Sequence, residues 1–160
     1  MIGCALPEHV FHDRDDGTFK GHLRQLAGTT CGVGEIVVFG VPMHNFGVPS
    51  VLKLWIDQIA RVGKTFSYAD GKPKGLIIGK KATFVVATGG IYDAQTQMAS
   101  FNFVEPYLRS LFGFLGLTDV TFLTAGGTMA LNHGQDLDAF LAPHLQAVQT
   151  QARSLDGVTV

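Results

Sequence analysis

The chain has 160 residues, of which 46% are hydrophobic and 16% charged, with 12 Lys and Arg against 13 Asp and Glu. That balance excludes a disordered segment and offers no basic surface for nucleic acid, while leaving enough apolar residues for the core of one domain. Mean hydropathy is +0.24, yet no stretch reaches the roughly 18 uncharged apolar residues of a membrane-spanning helix, so the apolar excess points to a covered sheet or a subunit interface.

Met1 to Leu6 reads as a short strand that runs into Pro7, Glu8 and His9, unlike a secretory leader. Cys4 and Cys31 lack metal-ligand spacing, so reduced thiols in the cytoplasm are expected. A polar loop from His9 to Gly17 and a helix carrying Phe19, Leu23 and Leu26 follow. From Glu35 the rhythm is regular. Glu35 to Val41 (EIVVFGV) is a near-continuous β-branched run that suits a strand buried on both faces. Pro49 to Arg61 is a helix, with Leu52, Trp55, Ile56 and Ile59 on one face, Pro49 in its first turn and Gly63 as its stop. A polar loop from Lys64 to Gly79 leads to a second strand, Ala82 to Thr88, closed by Gly89 and Gly90. Phe101 to Leu115 is a helix apolar almost all round, with Pro106 in its first turn and Gly116 at its end. Asp119 to Thr124 is a third strand, and Gln135 to Arg153 is a final helix with Leu137, Phe140, Leu141, Leu145 and Val148 on its apolar face. Asp136 and Asp138 near its start and Arg153 near its end match the helix dipole.

Consecutive strand-then-helix units predict an α/β fold, an open parallel sheet with helices on both faces, in one domain spanning residues 1–160. In such sheets ligands sit beyond the carboxyl ends of the strands. The segments to inspect are therefore Met43-His44-Asn45-Phe46 after the first strand and Thr88-Gly89-Gly90 after the second.

Other patterns carry less. Gly63-Lys64-Thr65 resembles the end of a P-loop but follows a helix and lacks the earlier glycine, and Gly32-Val33-Gly34 precedes a strand, the wrong order for a dinucleotide fingerprint. His9 and His12 form an isolated pair without further metal ligands, His133 reads as a turn residue, and no Gly-x-Ser-x-Gly nucleophile elbow occurs. No metal is expected.

The two strand-end loops, together with Leu52-Lys53-Leu54-Trp55-Ile56-Asp57, Gly63-Lys64-Thr65-Phe66-Ser67-Tyr68 and the run from Tyr107-Leu108-Arg109 to Phe112-Gly113-Phe114-Leu115-Gly116, resemble the FMN-dependent NADH-azoreductases. That family belongs to the flavodoxin-like NAD(P)H:quinone oxidoreductases, and the resemblance covers roughly residues 36–150. It implies a flavodoxin-like sheet and FMN held by Met43, His44, Asn45 and Phe46 and by Thr88, Gly89 and Gly90. It further implies Tyr68 and Phe114 as walls of a cavity for flat quinones or aromatic azo compounds. NADH would be the electron donor in a ping-pong hydride mechanism, and the protein would be a homodimer with its active site at the subunit boundary.

The sequence departs from that family in three ways. Residues 1–34 supply no strand, Ser-containing loop and helix N-terminus for the FMN phosphate, so the chain reads as lacking the phosphate-loop segment. Thr88 stands where relatives often have Arg. His44 stands where many have Tyr, which makes it a candidate proton donor. The first departure keeps a second reading open, a dimerising flavodoxin-like chain that retains the cavity walls but holds FMN poorly and has no reductase activity.

Overall fold

A computed structural model of the chain describes residues 36–68 and 71–155. The expected strand at Met1 to Leu6, the helix through Phe19 and Leu26, the His9 and His12 pair and the glycines at 32 and 34 lie outside these residues.

Three strands, β1 (Ile36–Pro42), β4 (Lys81–Thr88) and β5 (Asp119–Gly126), form a parallel sheet in the order β1-β4-β5. The register aligns Phe39 with Phe84 and Phe84 with Phe122. The three rings stack across the sheet at centroid separations of 4.8 and 5.0 Å. Because strand side chains alternate, this ladder marks one face, and two helices cover it. Helix α1 (Ser50–Ile59) sets Trp55 against Phe39 at 5.4 Å, and α2 (Val104–Phe114) sets Phe112 against Phe84 at 5.1 Å. Leu52, Ile56, Ile59, Val104, Leu108 and Phe112 complete that core, all nearly inaccessible to solvent.

The opposite face is covered from β5 by the last helix, α4 (Leu137–Leu155), whose Gln151 Nε2 donates to Thr121 Oγ1 at 3.3 Å. Helices thus lie on both faces, as expected of the α/β rhythm. The expectation that β1 is buried on both faces needs correction among the described residues. Val38 is 55% exposed and Val85 of β4 is 37% exposed, because α4 covers that face at β5 and leaves them open. Of the expected apolar face of α4 only Phe140 is buried, while Leu137, Leu145 and Val148 stay exposed. Helix α2 likewise buries a single stripe and leaves Phe103 and Phe114 in solvent, so its all-round apolar character is not used up within these residues.

Element ends show their causes. Helix α1 starts one residue after Pro49, whose carbonyl accepts the first helical bond from Lys53 N–H at 3.0 Å. It stops at Ile59, two residues before the expected end, because the buried Thr65 hydroxyl donates to the Ile59 carbonyl at 2.6 Å and accepts from Arg61 N–H at 3.1 Å. Thr65 of the P-loop-like triplet is therefore a helix-ending device. Gly63, with φ of 74°, turns the chain farther on. Helix α2 ends as expected at Gly116, where φ is 101° and Leu117 N–H reaches back to the Phe112 carbonyl at 2.9 Å. Strand β5 runs two residues past Thr124, since Ala125 and Gly126 pair with Ala87 and Thr88.

The segment expected to be a plain loop from Lys64 to Gly79 contains a small antiparallel pair, β2 (Phe66–Ser67) and β3 (Lys74–Gly75). It is fastened to the end of α2 by Ile77 N–H donating to the Leu115 carbonyl at 2.9 Å. A short helix α3 (Met129–Asn132) follows β5, and His133 is its turn-forming last cap, as expected.

Candidate functional site

The parallel register brings the two strand-end loops side by side. Pro42 pairs with Ala87, and Met43 N–H extends the ladder by donating to the Ala87 carbonyl at 2.8 Å. His44 and Gly47 then exchange both backbone bonds, at 3.0 and 2.9 Å, closing a two-residue turn on Asn45 and Phe46. Both central residues have positive φ, 47° and 67°, which is the type I′ geometry. Asn tolerates this conformation; a phenylalanine held there is strained. Three contacts offset the strain: the Phe46 carbonyl accepts Phe103 N–H at 3.1 Å, and its ring meets Phe101 at 5.1 Å and Tyr92 at 6.1 Å. The turn thus holds Asn45 at the sheet's end, where its side chain makes no hydrogen bond among the described residues.

The second loop is fixed from β5. Thr88 is buried, 3% exposed, and its hydroxyl donates to the Gly90 carbonyl at 2.8 Å. The carbonyls of Thr88, Gly89 and Gly90 accept the N–H groups of Thr128, Met129 and Gly127 at 3.0, 3.2 and 3.1 Å. Among the described residues, the N–H groups of Gly89 and Gly90 donate to no protein acceptor. The loop lies against the Tyr92 ring: a Cβ on Gly90 would come within 3.2 Å of it. Thr88 therefore acts by shaping the loop.

Two grooves open at this end of the sheet and meet at Pro106. One, of about 700 Å3, is lined by His44, Asn45, Ser50, Lys53, Phe103 and Tyr107; the other, of about 610 Å3, by Thr88, Tyr92, Asn102, Arg109 and Thr124 among others. Lys53 and Arg109 are paired along their helices. Lys53 Nζ lies 2.6 Å from Asp57 Oδ2, and the bond to that carboxylate raises the Lys53 pKa above its ordinary value. Burial raises the Tyr107 phenol, with Lys53 opposing, so Tyr107 presents a neutral hydroxyl. Arg109 binds Glu105 at 2.6 Å and lies 4.7 Å over the Phe122 ring.

Tyr68 and Phe114 are not lining residues of either groove. They share a separate aromatic cluster, each packed against Phe66, at 5.7 and 4.7 Å, and they are 59% and 38% exposed. The residues that sequence reasoning passed over are Gly127 and Thr128. The signal was present, since Gly126-Gly127 closes β5 as Gly89-Gly90 closes β4. Among the described residues no group of three or more His, Cys, Asp and Glu could hold a metal, and no helix is long and apolar enough to cross a membrane.

Comparison with known proteins agrees with this architecture. A family profile described as a flavodoxin-like fold matches residues 34–151. The chain is 56% identical over 114 residues to the FMN-dependent NADH:quinone oxidoreductase of Acidobacterium capsulatum, covering 71% of this chain and 55% of that protein. It is 47% identical over 113 residues to FMN-dependent NADH:quinone oxidoreductase 3 of Burkholderia lata, covering 70% of this chain and 55% of the relative. Among solved structures, the FMN-dependent NADH-azoreductase of Bacillus anthracis in complex with FMN superposes with a TM-score of 0.73 at 28% identity, over 86% of this chain and 61% of that one. The chain therefore spans about half the length of the curated relatives it matches. With the profile matched across most of its length and the parallel sheet in place, the chain belongs to the flavodoxin-like fold family.

Proposed function

We propose that the chain is the flavin-ring and substrate portion of an FMN-dependent oxidoreductase that passes two electrons from NADH to quinones or aromatic azo compounds. The observation that carries this reading is the pairing of two backbone-rich loops at adjacent strand ends. One is a strained turn presenting Asn45, and the other is a glycine pair whose N–H groups have no acceptor among the described residues. These features fit the polar edge of a flat heterocycle, and the aromatic rings of Phe46, Phe101 and Tyr92 beside them suit its faces.

Bound FMN would supply the hydride chemistry itself. The roles of this chain's residues are to orient and to stabilise. Met43, His44, Asn45 and Phe46 would hold one edge of the ring. Thr88, Gly89 and Gly90 would direct backbone donors at the oxygen where charge gathers on reduction, lowering its energy without any rearrangement. His44, beside the neutral Tyr107 in one groove, is positioned to pass a proton to a reduced acceptor. The phosphate end would be held by residues other than those described.

Quinone or azo substrates would stack against Tyr68 and Phe114. Since neither lines the grooves of its own chain, we assign them to the site of a second copy, in a homodimer built on the exposed rings of Phe103 and Phe114. Use of NADH as donor would suit a protein of the cytoplasm, where that cofactor is held. The test is direct: titrate the purified chain with FMN, following flavin absorbance and fluorescence, then add NADH with menadione or an azo dye. Saturable uptake and NADH-dependent reduction are expected. A chain that binds no FMN when titrated to millimolar concentration would refute the proposal and favour the dimerising, non-reducing alternative.

A further inference from the structure

The loop after β4 and the turn after β5 are joined by more bonds than strand ends need. The carbonyls of Thr88, Gly89 and Gly90 are all taken by N–H groups of residues 127–129. Two of these carbonyls accept a second bond. The Thr128 hydroxyl donates to the Thr88 carbonyl at 3.1 Å, and the Thr88 hydroxyl donates to the Gly90 carbonyl at 2.8 Å. In a trans peptide the C=O of one residue and the N–H of the next point in opposite directions. Peptide bonds here are trans. Three consecutive carbonyls turned toward the β5 turn therefore direct three consecutive N–H groups, those of Gly89, Gly90 and Ile91, away from it. None of the three donates to an acceptor among the described residues. Such a row of aligned donors favours a carbonyl oxygen or an anion.

We propose that Gly127 and Thr128 are positioning residues that clip the second loop and so aim the Gly89, Gly90 and Ile91 N–H groups at the electron-accepting edge of the flavin. The inference rests on the function proposed above. Gly127 is suited to the role by its φ of 83°, which a side chain would strain, and by the Ile91 side chain 3.5 Å from where its Cβ would be. Thr128 touches no reacting atom; it acts through the Thr88 carbonyl. The buried Thr88 hydroxyl is the matching clip from the other side.

Thr128→Val keeps the shape of the side chain and removes its hydroxyl, and Thr128→Ser restores the donor. Loss of one ordinary hydrogen bond amounts to about a fivefold change in the clip's closing equilibrium. Backbone amides of residues 127–129 in the cofactor-free chain should then exchange about fivefold faster in Thr128→Val, and at the native rate in Thr128→Ser. In the FMN-loaded protein the same variant should bind the reduced cofactor more weakly relative to the oxidised one. A full fivefold differential lowers the midpoint potential by about 20 mV, at roughly 30 mV per tenfold for two electrons. Thr128→Ser should recover the native potential. Native exchange in Thr128→Val overturns the clip. Faster exchange with an unshifted potential, or a shift that Ser does not recover, overturns the aiming role. Failure of the native chain to bind FMN defeats the functional reading and with it the aiming role, while exchange still decides the clip.

Discussion

Gly75 and Gly116 lie backbone against backbone: a Cβ added to Gly75 would sit 2.2 Å from the Gly116 nitrogen, and one added to Gly116 would sit 2.9 Å from the Gly75 carbonyl carbon. This contact seats the β2-β3 pair on the C-terminal end of α2, and with it the cluster in which Phe66 supports Tyr68 and Phe114. Backbone on both sides cannot move aside as a flexible side chain would. Gly75→Ala should therefore destabilise the protein by at least about 2 kcal/mol, in the upper range for overpacking. Urea unfolding measures it, and a loss under about 0.5 kcal/mol would contradict so close an approach.

Phe46 makes a second test of backbone geometry. At φ of 67° a β-carbon is unfavourable by about 1–2 kcal/mol, a cost that glycine escapes. Phe46→Ala keeps the strained backbone and loses the ring contacts with Phe101 and Tyr92, whereas Phe46→Gly loses the ring and the strain together. The glycine variant should be the more stable of the two by about 1 kcal/mol, the reverse of their order at ordinary helical positions. Thermal or urea unfolding of both proteins settles the order. Both should bind FMN more weakly than the native chain.

Most of the sheet and helix order was legible because each parallel strand is a short run of β-branched and aromatic residues and each helix repeats its apolar positions every three or four residues. The location of the candidate site followed from the rule that ligands gather beyond strand ends. What was not legible depends on contacts distant in sequence. Phe66–Ser67 and Lys74–Gly75 are too short to show a strand pattern, and the pair is fastened by Gly116 some forty residues on. Thr65 ends α1 through a side-chain bond that no periodicity reveals. The type I′ turn carries Phe where glycine is usual, so its geometry is hidden from turn chemistry and is held by Phe101, Phe103 and Tyr92. The apolar stripe of α4 announced more burial than Phe140 alone receives, because periodicity reports an apolar face without saying what covers it.

Lys53 and Tyr107 make stability fall at alkaline pH. Both have pKa values raised in the folded protein, Lys53 chiefly by its bond to Asp57 and Tyr107 by burial. A raised folded pKa means that the folded state holds the proton more tightly, so stability falls as pH rises from the unfolded value through the folded one. The contribution is intact below about pH 10, the unfolded range of both groups, and is lost above it. Stability should be flat with respect to these two groups from pH 7 to about 9.5 and decline beyond. Tyr107→Phe should make the decline shallower, and Asp57→Asn should remove the share due to Lys53. An unchanged alkaline slope in both variants would refute the assignment.

Thr65 offers the last test, because its hydroxyl is committed twice, to the Ile59 carbonyl at 2.6 Å and to Arg61 N–H at 3.1 Å, with the residue only 1% exposed. Replacement by Val preserves the shape but removes both hydroxyl bonds, leaving the Ile59 carbonyl and the Arg61 N–H only the bond they make to each other at 2.9 Å. An intramolecular hydrogen bond contributes about 0.5–1.5 kcal/mol net, so losing the two should lower stability by about 1–3 kcal/mol in Thr65→Val, and Thr65→Ser should recover most of it. The Met43–Phe46 loop, proposed to hold FMN, lies at the other end of the helix, beyond Pro49, so the affinity for FMN should stay within about twofold of native below the unfolding transition, under half a kcal/mol. If Val and Ser variants lose stability equally, packing of the Thr methyl outweighs the hydroxyl bonds, and the helix stop at Ile59 needs another cause.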